Sequence, residues 1–288
     1  MRNRCSERVR SLQNAITSAV EKLDGLAFEE DVWERPGGGG GCTRVLSGNV
    51  FEKGGVNTSE VFGELNEEFT GDVPGEGSDF YATGVSLVLH PINPMVPTVH
   101  ANFRYIEKGD RRWFGGGADL TPYYLFEEDA RHFHSVWKAA CDRHDASYYP
   151  RFKKWCDEYF YLPHRGEARG IGGIFFDYLE GDMEQLFGFW SDVAGSFLDA
   201  YLPIAERRKG EPYQAQHKEF QEVRRGRYVE FNLIYDRGTT FGLKTKGRTE
   251  SILMSLPPRV RYPYNYQPEP GSREAELLAV LTQPRDWV

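Results

Sequence analysis

Long apolar runs are missing from this 288-residue chain. No stretch approaches the roughly eighteen apolar residues that a membrane-crossing helix needs, so no integral membrane segment is expected. The first twenty residues are amphipathic rather than charged and then apolar, and neither an export signal nor an organellar presequence is read there. A cytoplasmic protein is the expectation. Cysteine is scarce: Cys5, Cys42, Cys141 and Cys156 form no Cys-x-x-Cys pair and no zinc-like spacing, which leaves reduced, structural thiols. An excess of basic charge is lacking too. A net charge of -8 argues against a general binder of nucleic acid or of acidic membranes, which needs a broad positive field. Nucleotide fingerprints are absent. The five glycines from Gly37 to Gly41 have neither the Gly-x-Gly-x-x-Gly spacing nor a Gly-Lys-Ser/Thr ending, and they read as a flexible loop or as backbone that closes over a ligand. No internal repeat or low-complexity tail divides the sequence, and one domain over residues 1–288 is expected.

What is present suffices for a core: 40% hydrophobic and 14% aromatic residues. Val9, Leu12, Ile16, Val20 and Leu23 recur at helical steps, predicting an amphipathic helix that ends near Gly25. Strand-like pieces follow from Thr43 to Lys53, then an exposed Gly-rich loop from Glu67 to Ser78. Tyr81 to His90 alternates, with Val85, Leu87 and Leu89 on one face and Ser86, Val88 and His90 on the other. The stretch Pro97 to Glu107 alternates as well. It puts His100, Asn102 and Arg104 on one face and Ala101, Phe103 and Tyr105 on the other. The proline-stiffened connection Pro91–Pro97 makes the two strands antiparallel neighbours, so that Ser86, His90, His100, Asn102 and Arg104 share a surface. A third strand over Arg112–Asp119 carries Gly115, Gly116 and Gly117, whose small size lets a bulky group approach.

Further on, apolar spacing predicts helices over Phe126–Cys141 and Phe152–Tyr159, a Phe-rich strand over Gly172–Tyr178 bearing Asp177, and the longest helix from Leu186 to Pro203. His134 reads as a satisfied core histidine, His164 as a cation at a helix C-terminus, and Arg207–Lys209 as a solvated run. Arg224 to Gly238 reads as a strand with Val229, Phe231, Leu233 and Tyr235 inward. Strand-like character continues through Gly242–Arg248 and Ser251–Pro257, before a short last helix at Leu277–Leu281.

Six motifs can be set side by side: Gly-Val-Ser-Leu-Val-Leu-His from Gly84, Pro-Thr-Val-His-Ala-Asn-Phe-Arg from Pro97, Trp-Phe-Gly-Gly-Gly-Ala-Asp-Leu-Thr-Pro from Trp113, Lys-Lys-Trp-Cys-Asp-Glu-Tyr-Phe from Lys153, Arg-Gly-Ile-Gly-Gly-Ile-Phe-Phe-Asp from Arg169, and Arg-Gly-Arg-Tyr-Val-Glu-Phe-Asn-Leu from Arg225. With these the chain resembles the oxygen-dependent coproporphyrinogen III oxidases of haem biosynthesis, over nearly its whole length. The resemblance implies an α+β fold, a large mostly antiparallel sheet sandwiched between layers of α-helices, with a deep active-site cleft and a homodimer. It implies oxidative decarboxylation of two propionates of coproporphyrinogen III to vinyl groups, with O2 as co-substrate and no further cofactor required. Carried over, Ser86, the Asn102–Phe103–Arg104 segment and the Lys246–Gly247–Arg248 turn are substrate-binding. His100 is a proton donor, and Asp119 an acid facing the pyrrole nitrogens. A divalent metal ion held by His90, His100, His134 and His164 is the family's alternative.

These residue types suit a flexible ring system rimmed by four propionates. Arginine meets a carboxylate with a planar, two-bond fork, which makes Arg104 and Arg248 anion clamps. An ionised carboxylate such as Asp119 can accept several inward-pointing pyrrole N–H groups. A metal-dependent oxygenase built on the histidines and a tetrapyrrole carrier without turnover are the competing readings. The joint presence of His100 and Asp119 favours the enzyme.

Overall fold

The computed structural model describes residues 1–65, 71, 74–245 and 247–288. The loop read from Glu67 to Ser78 therefore lies partly outside the described residues, and Lys246 lies wholly outside them. Helix α1 (Arg2–Asp24) ends where Gly25 adopts φ 88°, a left-handed cap that glycine takes without steric cost. Six strands follow: β1 (Glu29–Glu34), β2 (Gly39–Leu46), β3 (Phe51–Glu64), β4 (Asp79–Pro91), β5 (Thr98–Lys108) and β6 (Arg111–Thr121). Then come α2 (Glu127–Asp142), α3 (Tyr148–Tyr159), a two-residue ribbon of β7 (Tyr161–Leu162) and β8 (Glu167–Ala168), and β9 (Gly173–Leu179). The chain closes with α4 (Met183–Gly195), α5 (Phe197–Arg208), α6 (Ala215–Ile234), α7 (Arg237–Lys244), α8 (Thr249–Leu253) and α9 (Arg273–Thr282).

One seven-stranded sheet in the order β1-β2-β3-β4-β5-β6-β9 organises the molecule, and every neighbouring pair in it is antiparallel. Its two faces differ. Leu87, Leu89, Ala101, Phe103, Tyr105 and Phe114 are buried on one, where α1 packs with Val9, Leu12, Ile16 and Val20, and where Trp190 of α4 meets Phe114. The other face carries the polar alternates. Helix α6 and the short α8 lie against it, through Tyr228 edge-on to His90 and Met254 over Gly55. Helix α3 wraps the β9 edge, touching Phe176 on one face with Phe152 and Phe175 on the other with Trp155 and Tyr159. This is the α+β architecture with helices on both sides of the sheet.

Several elements differ from the sequence reading. Arg224 to Ile234 is the second half of helix α6, not a strand, and the strand-like stretches after it belong to α7, α8 and their connections. The aromatic alternation Tyr-Val-Glu-Phe-Asn-Leu has strand character, but Phe220, Arg224, Tyr228 and Phe231 are buried at helical spacing. Arg224 and Arg225 occupy buried positions through ion pairs with Glu167 and Glu52, so the helical stripe is not apolar. The helix read from Leu186 to Pro203 is two helices divided at Ser196, with Pro203 inside the second, and α1 is longer than either. Arg208 is buried rather than solvated, bound to Asp129, Glu128 and Glu211. Strand β3 extends far beyond Lys53. The glycine run is neither a loop nor a ligand flap at Gly39–Gly41, which form the start of β2. There, a side chain on Gly41 would collide with the Trp33 ring at 2.3 Å.

Candidate active site

Antiparallel register turns the alternation of single strands into rows that cross the sheet. One row on the polar face runs Asp31, Thr43, Asn57, Ser86, Asn102, Gly117 and Phe175. A second runs Trp33, Gly41, Ser59, Gly84, Arg104 and Gly115, and a third contains Val88, His100 and Asp119. The sequence-predicted surface of Ser86, His90, His100, Asn102 and Arg104 therefore forms. Phe103 does not belong to it: its ring is buried on the opposite face against Gly116, and only its backbone borders the row.

Arg104 reaches over Gly115 to Asp177, with Nη2 donating to Oδ2 at 2.6 Å. Its side chain is 29% exposed and that of Asp177 only 6%. A β-bulge aims the acid. Asp177 and Tyr178 together oppose the single residue Gly115, Tyr178 takes φ 51°, and its backbone N–H donates to Asp177 Oδ1. The guanidinium thus has one side committed to protein and part of the other side open.

His100 and Asp119 form a second unit. Nδ1 of His100 lies 2.8 Å from Oδ1 of Asp119, whose two oxygens also accept from Arg169 Nη2 at 2.8 Å. Asp119 is 1% exposed and Arg169 2%, and the Phe160, Tyr228 and Phe231 rings surround the guanidinium. Burial pushes the Asp119 carboxyl up, but the Arg169 charge and the His100 hydrogen bond outweigh it and hold the carboxyl below its ordinary value. An ionised carboxylate only accepts, so Nδ1 of His100 carries a proton and donates to Asp119. Nε2 has no protein partner among the described residues. This geometry differs from the expectation that Asp119 faces pyrrole nitrogens: both its oxygens are occupied beneath His100.

Arg248 caps the start of α8, bonded to Ser251 and paired with Asp31 on the edge strand. Gly247 forms the turn before it, donating to Gly242 O at 2.8 Å. The four histidines are not assembled as a metal site. His90 is bound to Thr98 and Ser255, His134 to Tyr149 and Ile171, and His164 to Tyr235 and Glu230, so each has both ring nitrogens engaged. His164 is thus held by a carboxylate and a phenol, not by a helix terminus. Burial drives the His90 and His134 rings toward the neutral form, His134 to about 3. Among the described residues no group of three or more His, Cys, Asp and Glu side chains could hold a metal, and the residues do not fit that alternative. No helix among the described residues is long and apolar enough to cross a membrane.

Arg169, Asp177 and Asn57 are members of this face that sequence reasoning did not place in the site. Arg169 and Asp177 sit in a recognised motif, but nothing in their spacing reveals a partner fifty or more positions away. A cavity of about 420 Å³ between Arg165, Arg227 and Tyr262–Asn265 is lined by none of the residues of the rows.

Residues 4–287 match the family described as coproporphyrinogen III oxidase. The chain is 57% identical over 290 residues to the oxygen-dependent coproporphyrinogen-III oxidase of Coxiella burnetii, covering 97% of this chain and 94% of the other. It is 52% identical over 307 residues to coproporphyrinogen-III oxidase 1, chloroplastic, of Arabidopsis thaliana, covering 100% of this chain and 80% of the other. The chloroplastic oxygen-dependent enzyme of Glycine max matches to the same degree, 52% over 307 residues with the same coverage.

Proposed function

The chain belongs to the coproporphyrinogen III oxidase family, and from that premise we propose how its residues carry out the oxygen-dependent reaction. It is an oxidoreductase of haem biosynthesis. Two propionates of coproporphyrinogen III become vinyl groups, giving protoporphyrinogen IX. Each propionate, one O2 and one proton from solvent yield a vinyl group, CO2 and H2O2: the carboxylate leaves as CO2, the carbon next to the pyrrole loses a proton, and two electrons pass to oxygen, which takes up both protons. The electron-rich pyrrole passes those electrons to oxygen and regains them from the breaking C–H and C–C bonds of the side chain, so the macrocycle leaves as reduced as it entered.

The observation that carries the residue assignment is the partly exposed Arg104 beside Asn102 and Ser86, on the face that also presents His100. Arg104 binds a propionate with the part of its guanidinium that Asp177 leaves open. Arg248 is the second clamp, from the α8 side, and the ring lies along the rows between them, in the cleft that the family implies. Nε2 of His100 relays the proton, while Asp119 and Arg169 fix the ring and its tautomer. In this reading Asp119 acts through His100. Gly247 borders the Arg248 clamp, Lys246 is carried as a substrate contact on its place in the sequence motif alone, and O2 is the co-substrate with no further cofactor. A homodimer in the cytoplasm completes the proposal, tested by light scattering for twice the 33.0 kDa chain mass and by fractionation.

The functional test incubates chelator-treated protein with coproporphyrinogen III, in air and without it, and separates the porphyrins after oxidation. Oxygen-dependent conversion through a tricarboxylic intermediate is the expected result. Binding without product under either atmosphere would make the chain a carrier, and activity restored only by one divalent ion would reinstate a metal site.

A further inference from the structure

Asn57 stands in the same row as Ser86 and Asn102, one strand farther from Arg104. Neighbouring strands are about 4.8 Å apart, so the three short polar side chains form a continuous line on the polar face. On its other side Asn57 pairs with Thr43, whose hydroxyl is a junction. Trp33 Nε1 donates to it at 3.1 Å, Asn57 Oδ1 lies 2.7 Å away and Ser251 Oγ 2.8 Å away. An indole N–H only donates, and a hydroxyl has one proton. That proton goes to Asn57 Oδ1, so Ser251 donates to Thr43 and in turn accepts from Arg248 Nη1 at 3.1 Å. The hydrogen bonds therefore run one way, from Arg248 through Ser251 and Thr43 to Asn57. At the end of the relay is a carboxamide whose oxygen is used. Its NH2 has no partner among the described residues and is not enclosed.

We propose that Asn57 is a substrate-binding residue whose amide N–H donates to a propionate carboxylate of the bound porphyrinogen, a role that rests on the function proposed above. The chemistry of the ligand selects the contact. The four pyrrole nitrogens of the reduced ring are donors and cannot meet another donor, whereas its carboxylates are strong acceptors. Asn57 is thus complementary to the rim of the substrate and not to its centre. Because the relay begins at Arg248, the clamp on α8 and the amide on β3 are oriented together.

Asn57→Asp separates this role from a structural one. It keeps the side-chain shape and the oxygen that accepts from Thr43, and it replaces the donor with a negative oxygen. If Asn57 only ties β3 to Thr43, the aspartate is silent. The expected result is a KM for coproporphyrinogen III raised on the order of tenfold or more, a rise larger than any fall in kcat, as for loss of a hydrogen bond to a charged group. Asn57→Ala should move KM in the same direction by less. Fluorescence titration with coproporphyrin III, the oxidised tetracarboxylate, reads the contact without turnover and should show the same order of weakening. KM and Kd within twofold of wild type in either folded variant would overturn the proposal, as would a fall in kcat at constant KM. A wild-type protein that binds coproporphyrin III without converting the porphyrinogen would instead sink the functional reading, leaving the titration to decide the contact.

Discussion

Arg104 and Asp177 meet 2.6 Å apart over the bare backbone of Gly115, at a bulge where two residues of β9 face one of β6. The pair joins a central strand to the sheet edge and sets how much of the guanidinium a ligand can use. Asp177 is nearly enclosed, and Arg104 is the cation it faces.

Removing the cation should therefore have two separable effects. Arg104→Met should raise KM for coproporphyrinogen III and lower stability by about 1–3 kcal/mol, because the buried Asp177 keeps only the Tyr178 backbone N–H and loses its cationic donor. Adding Asp177→Asn should recover much of the stability and none of the affinity. Denaturant unfolding and steady-state kinetics on the single and double variants check both, and recovery of KM in the double variant would contradict the clamp.

Gly115 has no room for a methyl group. A Cβ there would lie 2.5 Å from Asp177 Oδ1 and 2.9 Å from Arg104 Nε. Gly115→Ala should force the pair apart, costing about 1–3 kcal/mol and raising KM several-fold. An alanine variant with wild-type KM and melting temperature would show that the pair can shift freely.

The buried His100–Asp119–Arg169 unit predicts different costs for its members. Asp119→Asn should lower kcat on the order of a hundredfold with a smaller change in KM, since one of the two acceptor oxygens becomes an NH2 donor and the charge that holds His100 and Arg169 together is lost. Arg169→Ala should destabilise by about 3–5 kcal/mol, because the Asp119 charge is left uncompensated in the interior. Stopped turnover assays and thermal unfolding distinguish the two.

Acid should destabilise the fold through His134. Its buried imidazole stays neutral down to about 3, whereas the unfolded chain takes up that proton below the ordinary value of 6.5. The unfolded state binds more protons throughout that window, so stability falls as pH falls, by about 1.4 kcal/mol per unit for this one group. Depressed Asp119 adds a loss at lower pH, below the ordinary carboxylate value. His134→Gln should flatten the upper part of the profile between pH 6.5 and 4, measured by urea unfolding at fixed ionic strength, and an unchanged slope would remove His134 from the titration.

Much of the site was legible because a strand has a rigid period of two. His100, Asn102 and Arg104 had to share a face, and the short proline-rich connection made β4 the neighbour that adds Ser86. The first helix and its glycine stop were legible for the same local reason. Helix α6 was not. Its buried positions include Arg224 and Arg225, whose burial depends on ion pairs with Glu167 and Glu52 and, for Arg225, on a hydrogen bond to the Pro91 carbonyl. The strand β3 and its Asn57 were hidden among glycines and polar residues that carry no clear period.

The sequence by itself determined the long motifs that mark the family, the alternation of the central strands and the side chains available for anion binding. These depend on residue identity and short-range geometry, which no distant contact alters. The tertiary structure alone decided the partners: Asp177 for Arg104, Arg169 for Asp119, and Thr43 for Asn57. A pairing between residues on different elements is a property of register, bulges and packing. The composition of either residue does not contain it, and that is why Asp119 could be read as an open acid when the fold encloses it beneath His100.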